Sequence, residues 1–412
     1  MDLLLPFKFS LRVVSAAAAL AVVAVAFVNY HYTSHLPPYE DISGPLSFLE
    51  LISEFKYIAP GLLVICFASD LRDLIVFLLY RRGGEVGDFG LKLTEEFAKI
   101  SGLKEYSNEE LMIATNSFAN DRILGRGGFG IVYKGHVGDA STPVAIKMMN
   151  PNSHQGIKEY MSEVKSLSQL RHKNLVQLEG YCHEANRFAL VYEFIGGGSL
   201  EDHLFKPENF LEWGKRYEIA RGLASALHYL HEEYHDHECV IHRDIKSSNI
   251  MLTEKFVAKL GDFGLARLVD HARGQKTTEK MGTLGYAAPE YHRTGKASKQ
   301  SDIYSFGVVL LEIVCGRRAV FSLHGDLQNL VEWVWKHYGR WSWSWRRNFL
   351  LVVDERLRKD FVKKQAEALL IVGLWCTQPD AGSRPSTEEA MAVLNLKAKH
   401  PKLPSKMPSF NI

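Results

Sequence analysis

A chain of 412 residues with 49 Lys and Arg against 47 Asp and Glu, net charge +2, has no basic excess with which to hold nucleic acid. Apolar residues make up 46% of it, enough for a packed core, and the length suits one large domain or two modest ones. The five cysteines, Cys66, Cys182, Cys239, Cys315 and Cys376, are odd in number and irregular in spacing, which argues for free thiols in a reducing compartment.

The first predicted element is an apolar run from Val13 to Val28 behind Lys8 and Arg12, ending on Ala24-Val25-Ala26. Residues 1–28 read as a secretory signal peptide or a retained signal anchor. Residues 29–56 form a short acidic extracytoplasmic segment, with Glu40, Asp41, Glu50 and Glu54 against Lys56. Residues 57–80 are long enough to span a bilayer. Asp70, Arg72 and Asp73 stand in their middle, where an unpaired charge costs roughly 2.5–3.5 kcal/mol, so two short helices on the membrane or on protein are the rival reading. Arg81-Arg82 suits a cytoplasmic flank, which places the rest of the chain in the cytoplasm. Residues 81–117, polar and dotted with glycine, read as a juxtamembrane linker.

Residues 118–396 carry the chemistry. Leu124-Gly125-Arg126-Gly127-Gly128-Phe129-Gly130-Ile131-Val132 precedes Val144-Ala145-Ile146-Lys147. A helical stretch follows, in which Ile157, Met161, Val164 and Leu167 recur on one face, with Glu163 at its edge and Glu159 as the alternative. Then come His242-Arg243-Asp244-Ile245-Lys246-Ser247-Ser248-Asn249, Asp262-Phe263-Gly264 and Ala288-Pro289-Glu290. A lone G-x-G-x-x-G is weak evidence, but this whole series in this order is the protein-kinase signature set.

Each segment answers a need of phosphoryl transfer. Gly125, Gly127 and Gly130 let the backbone approach phosphate oxygens that a Cβ would obstruct. Lys147 is expected to reach the phosphates while Glu163 holds it. Leu124, Val132, Ala145 and Leu252 are expected around the adenine, with the backbone of Glu193 and Phe194 bonding its edge and Tyr192 guarding the back of the pocket. Asp244 is the expected base or orienter of the acceptor hydroxyl, and Asn249 and Asp262 the holders of Mg2+, with Mn2+ as an alternative. Lys246, two residues after Asp244, can neutralise the moving phosphoryl, and Thr283 is expected to bridge to Asp244; both favour Ser and Thr acceptors over Tyr. Arg243 offers a fixed cation beside the catalytic loop, and Thr277 and Thr278 are the residues whose phosphates would complete it.

Further elements are structural. Ser199-Leu200-Glu201-Asp202 has capping-box spacing, and Trp213 to Leu230 is an amphipathic helix. The His231–His242 region matches no standard zinc spacing and reads as a polar turn. The stretch from Asp302 to Val314 is apolar almost all round and belongs at the centre of a lobe, with Asp302 holding the catalytic-loop backbone and Arg384 pairing with Glu290. Trp341-Ser342-Trp343-Ser344-Trp345 has no physical account, and residues 397–412 read as a loose tail.

These residues resemble the plant receptor-like Ser/Thr kinases, and most closely the L-type lectin-domain receptor kinases. The carrying phrases are Gly180-Tyr181-Cys182-His183-Glu184, the run from Leu223 to Glu233, Leu265-Ala266-Arg267-Leu268-Val269-Asp270-His271, Leu330-Val331-Glu332-Trp333-Val334-Trp335 and Leu403-Pro404-Ser405-Lys406-Met407-Pro408. The resemblance implies an α+β, two-lobed kinase fold, ATP as phosphate donor, protein Ser/Thr acceptors, and a membrane setting with a co-receptor or self-association. Only about thirty residues separate the two apolar stretches, far too few for a lectin sandwich, so carbohydrate binding is not carried over. The alternative to an active kinase is a pseudokinase scaffold or a truncated receptor fragment that senses nothing.

Overall fold

The structure is a computed structural model that describes residues 103–127, 130–138, 141–149, 154–184, 187–235, 238–270, 283, 285–323, 326–339 and 351–408. Residues 1–28, 29–56 and 57–80, Thr277, Thr278 and the tryptophan tract lie outside the described residues. No helix among the described residues is long and apolar enough to cross a membrane.

Residues with alternating burial and β-branched or aromatic side chains form the first lobe. Its strands are β1 (Lys104–Glu105), β2 (Ile123–Gly127), β3 (Gly130–Val137), β4 (Thr142–Met149), β5 (Leu178–Glu184) and β6 (Arg187–Glu193). They lie in the order β1-β5-β6-β4-β3-β2, parallel between β1 and β5 and antiparallel elsewhere. Helix α1 (Asn108–Ala114) precedes β2, and α2 (His154–Leu167) joins β4 to β5. Of the predicted stripe, Val164 and Leu167 are buried in the core and Met161 packs half-buried against it, with Tyr160 buried beside them, while the side chain of Ile157 lies outside the described residues. The side chain of Glu159 lies outside the described residues.

The linker expected over residues 81–117 is corrected from Leu103 onward. Tyr106, Leu111 and Ala114 bury themselves with Val144, Ile146, Cys182, Ala189 and Val191 in a second core cluster. Ser107 caps α1 in a reciprocal capping box with Glu110. A Cβ on Gly180 would stand 2.3 Å from the Lys104 carbonyl oxygen, so the strand pairing of β1 requires glycine there.

The second lobe is mainly helical. It runs α3 (Leu200–Phe205), α4 (Trp213–His228), β7 (Glu238–Ile241), β8 (Ile250–Leu252), β9 (Ala258–Leu260), β10 (Arg267–Asp270), α5 (Pro289–Thr294), α6 (Lys299–Cys315), β11 (Val320–Leu323), β12 (Asp326–Asn329), α7 (Leu330–Gly339), α8 (Lys363–Cys376) and α9 (Thr387–Leu394). The strands pair as three short hairpin-like ladders, β7 with β10, β8 with β9 and β11 with β12. Every residue of α6 from Ser301 to Cys315 is buried, and each large apolar side chain hidden there contributes roughly 1.5–3 kcal/mol. The loose tail is also corrected in part: Leu403 and Met407 pack on the core. Apolar side chains at those positions outweigh the prolines around them.

Full burial of α6 also buries a carboxyl group. Glu312 is fully inside, and burial pushes it up to about 7, although bonds from Tyr286 and the Ala319 amide favour its charged form. A carboxyl raised from 4.5 in this way adds stability below the lower value and loses it as pH rises to about 7. Replacing it in Glu312→Gln removes that dependence. Urea unfolding from pH 4.5 to 8 should therefore show the variant gaining on the wild type with rising pH, by on the order of 3 kcal/mol in all; a constant difference refutes it.

Candidate active site

The two lobes meet at a cleft of about 550 Å3. Leu124, Gly125, Val132 and Ala145 line it from β2, β3 and β4, and Glu193 and Phe194 line it from the segment joining the lobes. Gly130 also lines it, but its lack of a side chain has a second cause: a Cβ there would stand 2.0 Å from the Met148 carbonyl oxygen of β4. Gly127 ends β2 opposite Gly130. Leu252 does not reach the cleft. In β8 the side chains alternate, so Ile250 and Leu252 are buried in the core and Met251 faces the cavity in its place. The Glu193 carboxylate is turned away from the adenine position, accepting from the Gln177 amide at 2.8 Å and from Lys259 Nζ at 2.7 Å. Its backbone amide donates to the Gln177 carbonyl at 3.0 Å, which leaves only its own carbonyl for a base edge.

Lys147 on β4 stands between two carboxylates. Its Nζ donates to Glu163 Oε2 of α2 at 3.0 Å and to Asp262 Oδ1 at 2.8 Å. Burial works to lower the Lys147 pKa, but the two carboxylates outweigh it and hold the ammonium above its ordinary value. Burial likewise works to raise Asp262, and Lys147 outweighs it, so that carboxyl lies below its ordinary value. The other oxygen of Glu163 accepts from the Tyr192 hydroxyl. Burial, then the Glu163 charge, push the Tyr192 phenol well above its ordinary pKa and keep it a donor. The residue expected to guard the pocket therefore also fixes the Lys147 partner, a link across β6 and α2 that spacing could not reveal.

A second cluster surrounds Asp244. Lys246 Nζ donates to Asp244 Oδ2 at 2.6 Å and to Thr283 Oγ1 at 3.1 Å, and Thr283 Oγ1 donates to Asp244 Oδ1 at 2.9 Å. Asn249 Nδ2 donates to the Asp244 carbonyl and to Oδ2, at 2.9 and 3.0 Å. With its amide nitrogen so used, Asn249 has its amide oxygen for a cation, and Asp262 offers carboxylate in the same cleft. Two hard oxygen donors in one cleft fit a magnesium-sized ion that takes its other ligands from a bound anion and water.

The backbone N–H groups of His242 and Arg243 donate to Asp302 at 2.8 and 2.9 Å. The Arg243 guanidinium is buried, with Nη1 on the Leu265 carbonyl at 3.2 Å and Nη2 on the Tyr291 hydroxyl at 3.1 Å. Its Nε has no partner among the described residues. Arg384 clamps Glu290 through its two terminal guanidinium nitrogens at 2.6 and 2.7 Å.

Residues 118–393 match the family of protein tyrosine and serine/threonine kinases. The chain belongs to that family. Over 345 residues it is 50% identical to the L-type lectin-domain containing receptor kinase IX.1 of Arabidopsis thaliana, covering 82% of this chain and 52% of that protein. Over 324 residues it is 42% identical to the L-type lectin-domain containing receptor kinase SIT2 of Oryza sativa subsp. japonica, covering 78% and 47%. This kinase therefore spans about half the length of the curated relatives it matches.

In this kinase the Tyr192 bond to Glu163 should be worth the cost of stranding a buried carboxylate oxygen. Tyr192→Phe is expected to lower unfolding free energy by about 1–3 kcal/mol in urea titration. An unchanged midpoint and slope would show that the contact carries no weight.

Proposed function

We propose that this chain is a serine/threonine protein kinase of plant receptor-type signalling, held at the plasma membrane through residues 57–80, with residues 1–28 either a cleaved signal peptide or a second anchor and residues 118–396 in the cytoplasm. The observation that carries the catalytic part is the bonded set of Asp244, Lys246 and Thr283, tied through Asn249 Nδ2 to the cleft that Asn249 lines with Lys147 and Asp262. Lys147, fixed by Glu163, binds the phosphates of ATP. Asn249 and Asp262 would hold a divalent cation, which when bound would neutralise phosphate charge. Asp244 accepts or orients the acceptor hydroxyl proton, with both oxygens already placed by Lys246 and Thr283, so the attacking oxygen meets the γ-phosphorus in line. Lys246 screens the transferred group.

Protein Ser and Thr hydroxyls are the proposed acceptors. Asp244→Asn should lower transfer by at least about a hundredfold, the scale of a lost general base, while ATP still binds. Phosphoamino-acid analysis of the wild-type product should show phosphoserine and phosphothreonine; a phosphotyrosine-dominated map would contradict the acceptor class. Carbonate and high-salt extraction of the full chain tests the membrane reading, which fails if the chain then stays in solution.

Switching rests on Arg243, whose described partners are neutral oxygens while its Nε is unpaired among the described residues. A phosphate on Thr277 or Thr278 supplies the anion. Full-length Thr277→Ala/Thr278→Ala, pre-incubated with ATP, should start slower than wild type treated alike. Equal initial rates would remove these threonines from the switch.

A further inference from the structure

The catalytic loop meets the turn at Thr283–Tyr286 at two points: Thr283, bonded by Asp244 and Lys246, and Tyr286, bonded by Ser247. Asp244 bonds Thr283, and three residues on along both segments Ser247 Oγ lies 3.1 Å from the Tyr286 hydroxyl. The Tyr286 hydroxyl donates its one proton to Glu312 Oε1 at 2.7 Å, so Ser247 must be the donor toward Tyr286. Glu312 Oε1 is itself held by the Ala319 amide at 2.9 Å. The Tyr286 backbone is tied down as well, its carbonyl accepting from Ser305 Oγ at 2.8 Å and its amide donating to the Thr283 carbonyl at 3.1 Å.

The Asp244 and Lys246 bonds converge on the one Thr283 hydroxyl, so by themselves they leave the segments free to swing about it. A second attachment, a short distance along, removes that freedom. Ser247 and Glu312 are both buried, so water does not substitute readily for either bond. Resting on the kinase reading above, we infer that Ser247 is a positioning residue for the acceptor. Through the Tyr286 hydroxyl and the buried carboxylate of α6 it fixes the angle at which the Thr283 turn meets Asp244. It does not touch the phosphates or the acceptor. Its effect is on how well the incoming hydroxyl is aligned, and small misalignments at such a centre are costly.

The test uses four full-length proteins purified in detergent: wild type, Ser247→Ala, Tyr286→Phe and the double variant. With dephosphorylated casein as acceptor, Ser247→Ala should lower kcat/KM for casein about tenfold, the effect of one well-placed hydrogen bond. ATP affinity, read by titration without acceptor, should stay within about twofold of wild type, since no phosphate contact changes. Ser247→Ala and Tyr286→Phe break the same bond, so the double variant should match Tyr286→Phe within about twofold. Wild-type kcat/KM in Ser247→Ala, multiplied losses in the double variant, or an equal loss of ATP affinity would each overturn the inference. Amide exchange at Gly285, Tyr286 and Ala287 reads the cross-link without catalysis. It should quicken in both single variants, and unchanged exchange rejects the cross-link. A wild type that transfers no phosphate would sink the kinase reading instead, and the exchange result would still decide the role of Ser247.

Discussion

The Asp302 carboxylate is the fixed point on which the catalytic loop depends. It accepts the N–H groups of His242 and Arg243, and His231 Nε2 lies 3.1 Å from it. Arg243 has φ of +73°, a left-handed conformation that costs a non-glycine residue on the order of 1–3 kcal/mol. That conformation persists because the bent backbone has a buried carboxylate beneath it, on a helix that cannot shift without disturbing the core. The positions of Asp244 and Asn249 follow from this turn.

Charge in the cleft is arranged with the same logic of burial. Glu163 is fully buried, whereas the Asp262 side chain keeps 30% of its exposure. A buried carboxylate that loses its cation has no water to replace it, so breaking the Glu163 bond to Lys147 costs more than breaking the Asp262 bond. Asp262, reached by solvent, releases the lysine at lower cost. Tyr192 strengthens the asymmetry by donating to Glu163 alone. The arrangement leaves Lys147 oriented before a nucleotide arrives, which is what positioning catalysis requires.

Much of this was legible in the sequence, and the failures have physical causes. The two-lobed α+β fold could be read from ordered motifs, each demanding a particular local shape. Glu163 could be placed because a helix face has a definite period. Leu252 was misplaced because β8 has three residues, too few for alternation to declare which side faces the cavity. The stretch from Leu103 was misread as linker because glycines up to Gly102 dominated the composition. Yet Ser107 and Glu110 have the spacing of a capping box, and Tyr106, Leu111 and Ala114 supply an apolar face. The Tyr192–Glu163 bond and the Glu312–Tyr286–Ser247 chain left no local signature, since they join segments 29, 26 and 39 residues apart.

Asp302 and Glu312 lie on the same helix, ten residues apart, or about 15 Å along its axis. One holds the bend that presents Asp244; the other holds the tyrosine beside the turn that carries Thr283. A helix buried on all sides is a poor place for carboxylates unless each is bonded, and both are bonded to the loops that line the site. Their desolvation cost is accepted where it converts a rigid core into a rigid pair of loops. The same core that makes the lobe stable thus sets the geometry of the reaction, and a packing change along α6 reaches Asp244 by two separate routes.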